Sequence, residues 1–179
     1  MRYVMKRASL FIAVSDYTAA AAQRLVFDRV PARTLRPALD LGAFPATTPQ
    51  DRASARDELG IQGRLVVCVG RLVPRKGQDV LLEAVGRLAP RMPDLELALV
   101  GDGRLAYHLE RRAEALGLEG RVHRPGSLTA ADMRRWLAAA DVFASPCRVR
   151  WGGLEVEGFG IVFVEAALTG LPVLAGRSG

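Results

Sequence analysis

Two carboxylates eight residues apart, Glu157 and Glu165, bracket a Gly-Phe-Gly turn and the opening of an apolar run. This spacing predicts one carboxylate in a loop and the other about two turns into the following helix. The helix N-terminus between them would offer unpaired N–H groups and the positive end of the helix dipole, which suit an anion. Carboxylates suit sugar hydroxyls. A site that holds both a sugar and a phosphate would hold a nucleotide-sugar.

A second group lies about eighty residues upstream. Val66 to Gly70 reads as a buried parallel strand, and Arg71-Leu72-Val73-Pro74-Arg75-Lys76-Gly77 as the loop that follows. Gly70 and Gly77 permit tight turns, and Pro74 stiffens the loop. Arg71 offers a planar fork of donors and Lys76 a mobile point charge, so the two could converge on a diphosphate. Lys76 is one of two lysines against 23 arginines, which singles it out for a specific role. Taken alone, either residue reads as an ordinary charge on a solvated turn; the later Glu pair argues against that.

The elements that must carry these groups alternate. Leu10 to Val14 reads as a buried strand, Ser15 as a cap and Ala19 to Val26 as a helix. Arg33 to Arg36 is a short strand, Pro37 to Pro49 a linker, and Ala53 to Leu59 a short helix. Strands are then expected at Leu65–Val69, Leu95–Val100, Arg121–His123, Asp141–Ala144 and Pro172–Ala175. Helices are expected at Asp79–Leu88, Leu105–Leu116, Ala130–Ala139 and Gly160–Leu168, with a long loop from Ser145 to Gly158. Such alternation means an α/β, Rossmann-like parallel sheet with helices on both faces. Ligands of these sheets bind beyond the carboxyl ends of the strands, where both charged groups fall.

The bulk numbers narrow the classes. The 179 residues are half hydrophobic, enough for a substantial core, and only 6% aromatic, which disfavours a base-stacking platform. The net charge of +6 could suit nucleic acid, but the arginines are spread rather than clustered, and no nucleic-acid partner is expected. Two cysteines, Cys68 and Cys147, form neither a disulfide framework nor a zinc spacing, which fits a reducing cytoplasm. No run reaches the length of a membrane span. Lys6-Arg7 resembles the start of a signal peptide, but the apolar run after it is too short. No Asp-x-Asp pair argues for a metal. A glycosidase would also use paired carboxylates, but a phosphate clamp would serve no purpose there.

The runs Val-Gly-Arg-Leu-Val-Pro-Arg-Lys-Gly (69–77), Leu-Val-Gly-Asp-Gly (99–103), Ala-Asp-Val-Phe-Ala-Ser-Pro (140–146), the Glu-x7-Glu stretch and Gly-Leu-Pro-Val-Leu-Ala (170–175) resemble the C-terminal domain of retaining family-4 glycosyltransferases of the GT-B fold. The loop from Ser145 to Gly158 is most similar to actinobacterial mannosyltransferases that extend phosphatidylinositol mannosides from GDP-mannose. The resemblance implies that residues 1–36 end an N-terminal acceptor domain, 37–62 form a linker and lead-in helix, and 63–179 form a nucleotide-sugar-binding domain, incomplete at its C-terminus and inactive alone. It implies transfer of a hexose, mannose by the finer match, with retention, to a lipid or glycan acceptor.

The same resemblance gives Arg71 and Lys76 the donor diphosphate, Glu165 the ribose diol and Glu157 the sugar hydroxyls. It places the backbone of Phe159, Gly160, Ile161 and Val162 at sugar and phosphate, and Gly126 and Leu128 on the base. Gly70, Gly101, Gly103 and Arg124 would line the cleft. No cofactor or metal is implied. The protein is expected in the cytoplasm, with possible peripheral contact at the inner face of the plasma membrane. His108 is expected at the surface and His123 in a structural role. A non-catalytic nucleotide-sugar module and a nucleotide-sugar 2-epimerase of the same architecture remain alternatives.

Overall fold

The computed structural model describes residues 7–25, 29–153 and 155–178. Lys6, Val26, Leu154 and Gly179, which the sequence reading touches, lie outside the described residues. Two runs, Leu65–Val69, wholly apolar, and Leu95–Val100, apolar but for Glu96, form the centre of the sheet, as expected of strands covered on both sides. They are β3 (Arg64–Val69) and β4 (Leu95–Val100), paired in parallel from Arg64↔Leu95 to Val69↔Val100. β5 (Val122–Gly126), β6 (Val142–Ser145) and β7 (Val173–Ala175) complete a five-stranded sheet in the order β5-β4-β3-β6-β7, every pair parallel. Before it, β1 (Phe11–Ala13), α1 (Asp16–Leu25) and β2 (Ala32–Thr34) form a unit with its own two-stranded parallel sheet.

The pleat sends alternate residues of β3 into two separate cores. Leu65, Val67 and Val69 pack with Ala98, Val100 and Phe143 under α2 (Pro49–Leu59), α5 (Ala130–Ala139) and α6 (Ile161–Leu168). Val66 and Cys68 pack with Leu97 and Leu99 under α3 (Gln78–Leu88) and α4 (Ala106–Ala115). Helices therefore cover both faces of the sheet, as the strand–helix alternation predicts.

Several boundaries differ from the sequence reading for identifiable reasons. α2 begins at Pro49, four residues before the expected Ala53, because a capping box starts it. Thr48 Oγ1 accepts from the Asp51 N–H at 3.1 Å, and Asp51 Oδ2 accepts from the Thr48 N–H at 3.0 Å. Phe44, Ala55 and Ile61, in the stretch read as linker and lead-in helix, are buried with Leu65 in the first core. Arg52 and Arg56 tie α2 to Asp141 at 2.5 and 3.4 Å, and Asp141 Oδ2 also accepts the Leu65 N–H at 2.8 Å. β5 runs past the expected His123 to Gly126; Pro125 is tolerated because β5 is an edge strand. β1 was expected to be buried, yet Ile12 is 68% exposed and only Ala13 of the strand is buried.

Candidate active site at the switch point of the sheet

The chain runs outward from β3 to β4 and β5, then returns across the sheet to β6, so the strand order reverses between β3 and β6. Loops diverge at such a point and leave a crevice at the carboxyl ends. The two loops that leave there are residues 70–77 and 146–160, the two groups singled out in the sequence.

They are joined along their length. The Gly77 Cα lies so close to the Pro146 carbonyl that an added Cβ would sit 2.2 Å from its oxygen, and Gly77 holds φ at 74°. Both features demand glycine. The Arg148 N–H donates to the Arg75 carbonyl at 2.8 Å, and Arg148 Nη2 donates to Asp79 Oδ2 at 2.8 Å. Gln78, almost fully buried, donates its side-chain amide to the Arg71 carbonyl at 3.0 Å and so fixes the backbone of that residue.

Lys76 and Glu157 meet directly, Nζ to Oε2, at 2.6 Å. Both are nearly buried, with side chains 9% and 13% exposed. Arg75 Nη1 reaches the same oxygen at 2.8 Å, and the Cys147 thiol donates to it at 3.4 Å. Burial works against the Glu157 charge. The hydrogen bond and charge of Lys76, then Cys147 and Arg75, outweigh it and hold the carboxyl below its ordinary value. The Lys76 stem lies against Gly70, where an added Cβ would meet Cε at 3.2 Å. Gly70, Arg71, Gly101, Asp102, Ser127 and Leu128 line an adjoining crevice of about 230 Å³. Arg71 is exposed there.

Gly160, at φ 72°, starts α6. Glu165 is the fifth residue of that helix, little more than one turn in rather than the expected two. It is half-buried, and burial alone pushes its carboxyl up. Ile161 is exposed, Phe159 half-buried, and Val162 buried in the first core. Gly103 packs its backbone against Leu72, where an added Cβ would meet the carbonyl oxygen at 2.6 Å. The Gly126 carbonyl accepts the Gly101 N–H at 2.8 Å. Arg124 is exposed and ion-paired with Glu110 of α4. His123 Nε2 lies 2.6 Å from Glu96 Oε2 and its ring packs on Trp136, the structural role expected of it; His108 is exposed on α4.

Sequence reasoning left Arg75, Cys147 and Gln78 without roles. For the last, the position directly after the glycine turn is the one sequence signal. Nothing in the spacing pointed to the first two, because their common partner is about eighty residues or about ten residues away.

Three other hollows are larger but chemically unsuited; one of about 280 Å³ offers Arg52 as its charged group, and that is paired with Asp141. A groove of about 390 Å³ beside α2 and α5 holds Asp51, Glu58 and Arg135, which are engaged as a cap and as surface pairs. A groove of about 420 Å³ along α3 is lined mostly by Leu, Val and Ala and has no group aimed at a charged ligand. Among the described residues no cluster of three His, Cys, Asp or Glu side chains is placed to hold a metal ion.

A parallel sheet with both charged loops at its switch point is an α/β architecture of the class that binds ligands there, and the comparisons give its family. Residues 51–179 match the family described as "Glycosyl transferases group 1", and the chain belongs to it. The architecture is that of the carboxyl-terminal half of a GT-B glycosyltransferase. It is 42% identical, over 100% of its length and 47% of the relative's, to a GDP-mannose-dependent alpha-(1-6)-phosphatidylinositol monomannoside mannosyltransferase of Mycolicibacterium smegmatis. It is 40% identical, over 93% of its length and 44% of the relative's, to the monoacylated-substrate counterpart of Corynebacterium glutamicum. Among solved structures it resembles Anabaena HepE in complex with UDP-glucose, with a TM-score of 0.79 and 30% identity over 99% of this chain and 47% of that one. The chain thus spans about half the length of the relatives it matches.

Proposed function

We propose that the protein carrying this chain transfers mannose from GDP-mannose to a phosphoinositol-mannoside lipid or related glycan, with retention, and that this chain supplies the donor site. The observation that carries the reading is the meeting of Lys76 and Glu157 at 2.6 Å, which sets a phosphate-binding cation beside a hydroxyl-binding carboxylate at the switch point. The 42% identity to a GDP-mannose-dependent enzyme supports the choice of base and sugar.

In this reading Arg71 and Lys76 grip the diphosphate. As the bond from the anomeric carbon to the phosphate oxygen breaks, negative charge grows on the departing nucleotide. A fixed cation there lowers the barrier by about 3 kcal/mol. These two cations and the N-terminus of α6 do the work a metal ion does in other transferases. Glu165 accepts from the ribose diol, each such charge-assisted bond contributing roughly 1.5–3 kcal/mol. Glu157 receives sugar hydroxyls, and Gly126 and Leu128 flank the base. A lipid acceptor would bring the protein to the inner face of a membrane as a peripheral visitor; no described helix is long and apolar enough to cross one.

The test is a panel of GDP-mannose, GDP, UDP-glucose and ADP-glucose titrated by calorimetry, followed by transfer assays of the protein with mannoside lipids. Guanine nucleotides should bind preferentially and radiolabelled mannose should appear in lipid. No heat with any nucleotide removes the donor site. Release of nucleoside diphosphate and a 2-epimer without acceptor would make the protein an epimerase instead.

A further inference from the structure

Three donors converge on one oxygen of Glu157, although an ionised carboxylate has two to offer. Oε2 accepts from Lys76 Nζ at 2.6 Å, from Arg75 Nη1 at 2.8 Å and from Cys147 Sγ at 3.4 Å. Among the described residues no hydrogen bond reaches Oε1. The carboxylate is therefore anchored through one oxygen and leaves the other to accept.

The two cations are not equivalent. If the donor diphosphate is to be gripped, the Lys76 ammonium must turn some of its three donors toward it. Glu157 would then lose its shortest contact at the moment it has to hold a sugar hydroxyl. Arg75 has no such second duty. Its side chain is 15% exposed, and Glu157 is the partner its guanidinium reaches among the described residues. Its carbonyl is pinned by the Arg148 N–H at 2.8 Å, so the residue is held at both backbone and side chain. A planar guanidinium loses less freedom per hydrogen bond than an ammonium on a flexible stem.

We propose that Arg75 is a positioning residue, the standing counter-ion that keeps Glu157 Oε2 in place while Lys76 engages the diphosphate, so that Oε1 is presented to the donor sugar. The inference rests on the donor site proposed above and assigns to it a residue that need not touch the donor. The two cations flank the carboxylate from the 70–77 loop, and the Cys147 thiol from the 146–160 loop; the Ser178 hydroxyl accepts the Glu157 N–H at 3.1 Å. Burial opposes the Glu157 charge, so losing one of two cations should be felt.

A double-mutant cycle read as donor affinity separates positioning from direct contact. Dissociation constants of GDP-mannose and GDP are measured by calorimetry on the wild-type protein, Arg75→Met, Glu157→Gln and the double variant, each checked by thermal melting. Arg75→Met should weaken GDP-mannose at least fivefold, and by more than it weakens GDP. In the Glu157→Gln background the same change should cost less than twofold. Arg75→Lys, which keeps the charge and the fold but not the fork, should fall between wild type and Arg75→Met. Equal losses in both backgrounds, equal losses for GDP and GDP-mannose, or no loss in either Arg75 variant would overturn the positioning role. A wild-type protein that binds neither nucleotide would overturn the donor site and this inference with it.

Discussion

Lys76 and Glu165 carry the sharpest expectations at the scale of single residues. Lys76→Ala should lower kcat/KM for mannosyl transfer about a hundredfold, the loss typical of one preorganised donor to developing charge. Glu165→Ala should lower it at least tenfold; steady-state assays with GDP-mannose check both. The two carboxylates respond to pH in opposite senses. Glu157 is held below its ordinary value, so its pairing stabilises the fold at neutral pH and is lost as the pH falls through the folded value. Glu165 is raised by burial, so its contribution to stability is full below the ordinary glutamate value and is lost as the pH rises through the folded one. A ribose diol favours the ionised form, and donor binding should therefore expel a proton in the window just above the ordinary value. Calorimetry in buffers of different ionisation enthalpy measures that proton. Cys68, pushed up to about 12 by burial, and Cys147, also raised by burial, should both resist alkylation at pH 8 until the protein unfolds, as mass spectrometry would report.

The strands and helices were largely legible because their signals are local. The runs at β3 and β4 have no competing period, and Thr129 caps α5 by accepting the Asp132 N–H at 3.2 Å, where a helix start was expected. The misreading at Ala53 had a local remedy, since Thr-Pro-x-Asp at 48–51 is itself a start signal. Other features could not be read locally. The convergence of Arg75, Lys76 and Cys147 on one oxygen depends on how two loops meet, which no spacing encodes. The same holds for Asp141, whose carboxylate gathers Arg52 and Arg56 of α2 and the Leu65 N–H of β3. Asp141→Ala would leave the Leu65 N–H without its partner and take one partner from each guanidinium, which would keep the Ala140, Ala139 and Gly63 carbonyls. It should cost about 1–3 kcal/mol in chemical denaturation, most of it from the unpaired backbone N–H because the ion pairs are partly exposed, while leaving nucleotide affinity unchanged.

At the scale of the whole molecule, both cores are closed against the sheet, and an apolar groove remains beside the second. Phe143, Leu65 and Leu137 lie fully buried in the first, and Leu82, Leu97, Leu99 and Leu109 in the second. Beside the second, the groove along α3 exposes Val80, Leu88 and Leu174 by 46%, 42% and 55%. Contiguous apolar surface of this kind binds hydrophobic probes. Anilinonaphthalene sulfonate should fluoresce on the folded chain, and Leu88→Glu should cut the signal by about half without lowering nucleotide affinity. The seam at Gly77 and Pro146 has a mechanical consequence. Backbone rests on backbone there with no room for a methyl group, so the rims of the crevice cannot slide past each other. Accommodation of one guest over another must then come from quick swings of terminal atoms on a motionless frame, and relaxation-dispersion profiles at the Gly77 and Cys147 amides should be flat with or without nucleotide.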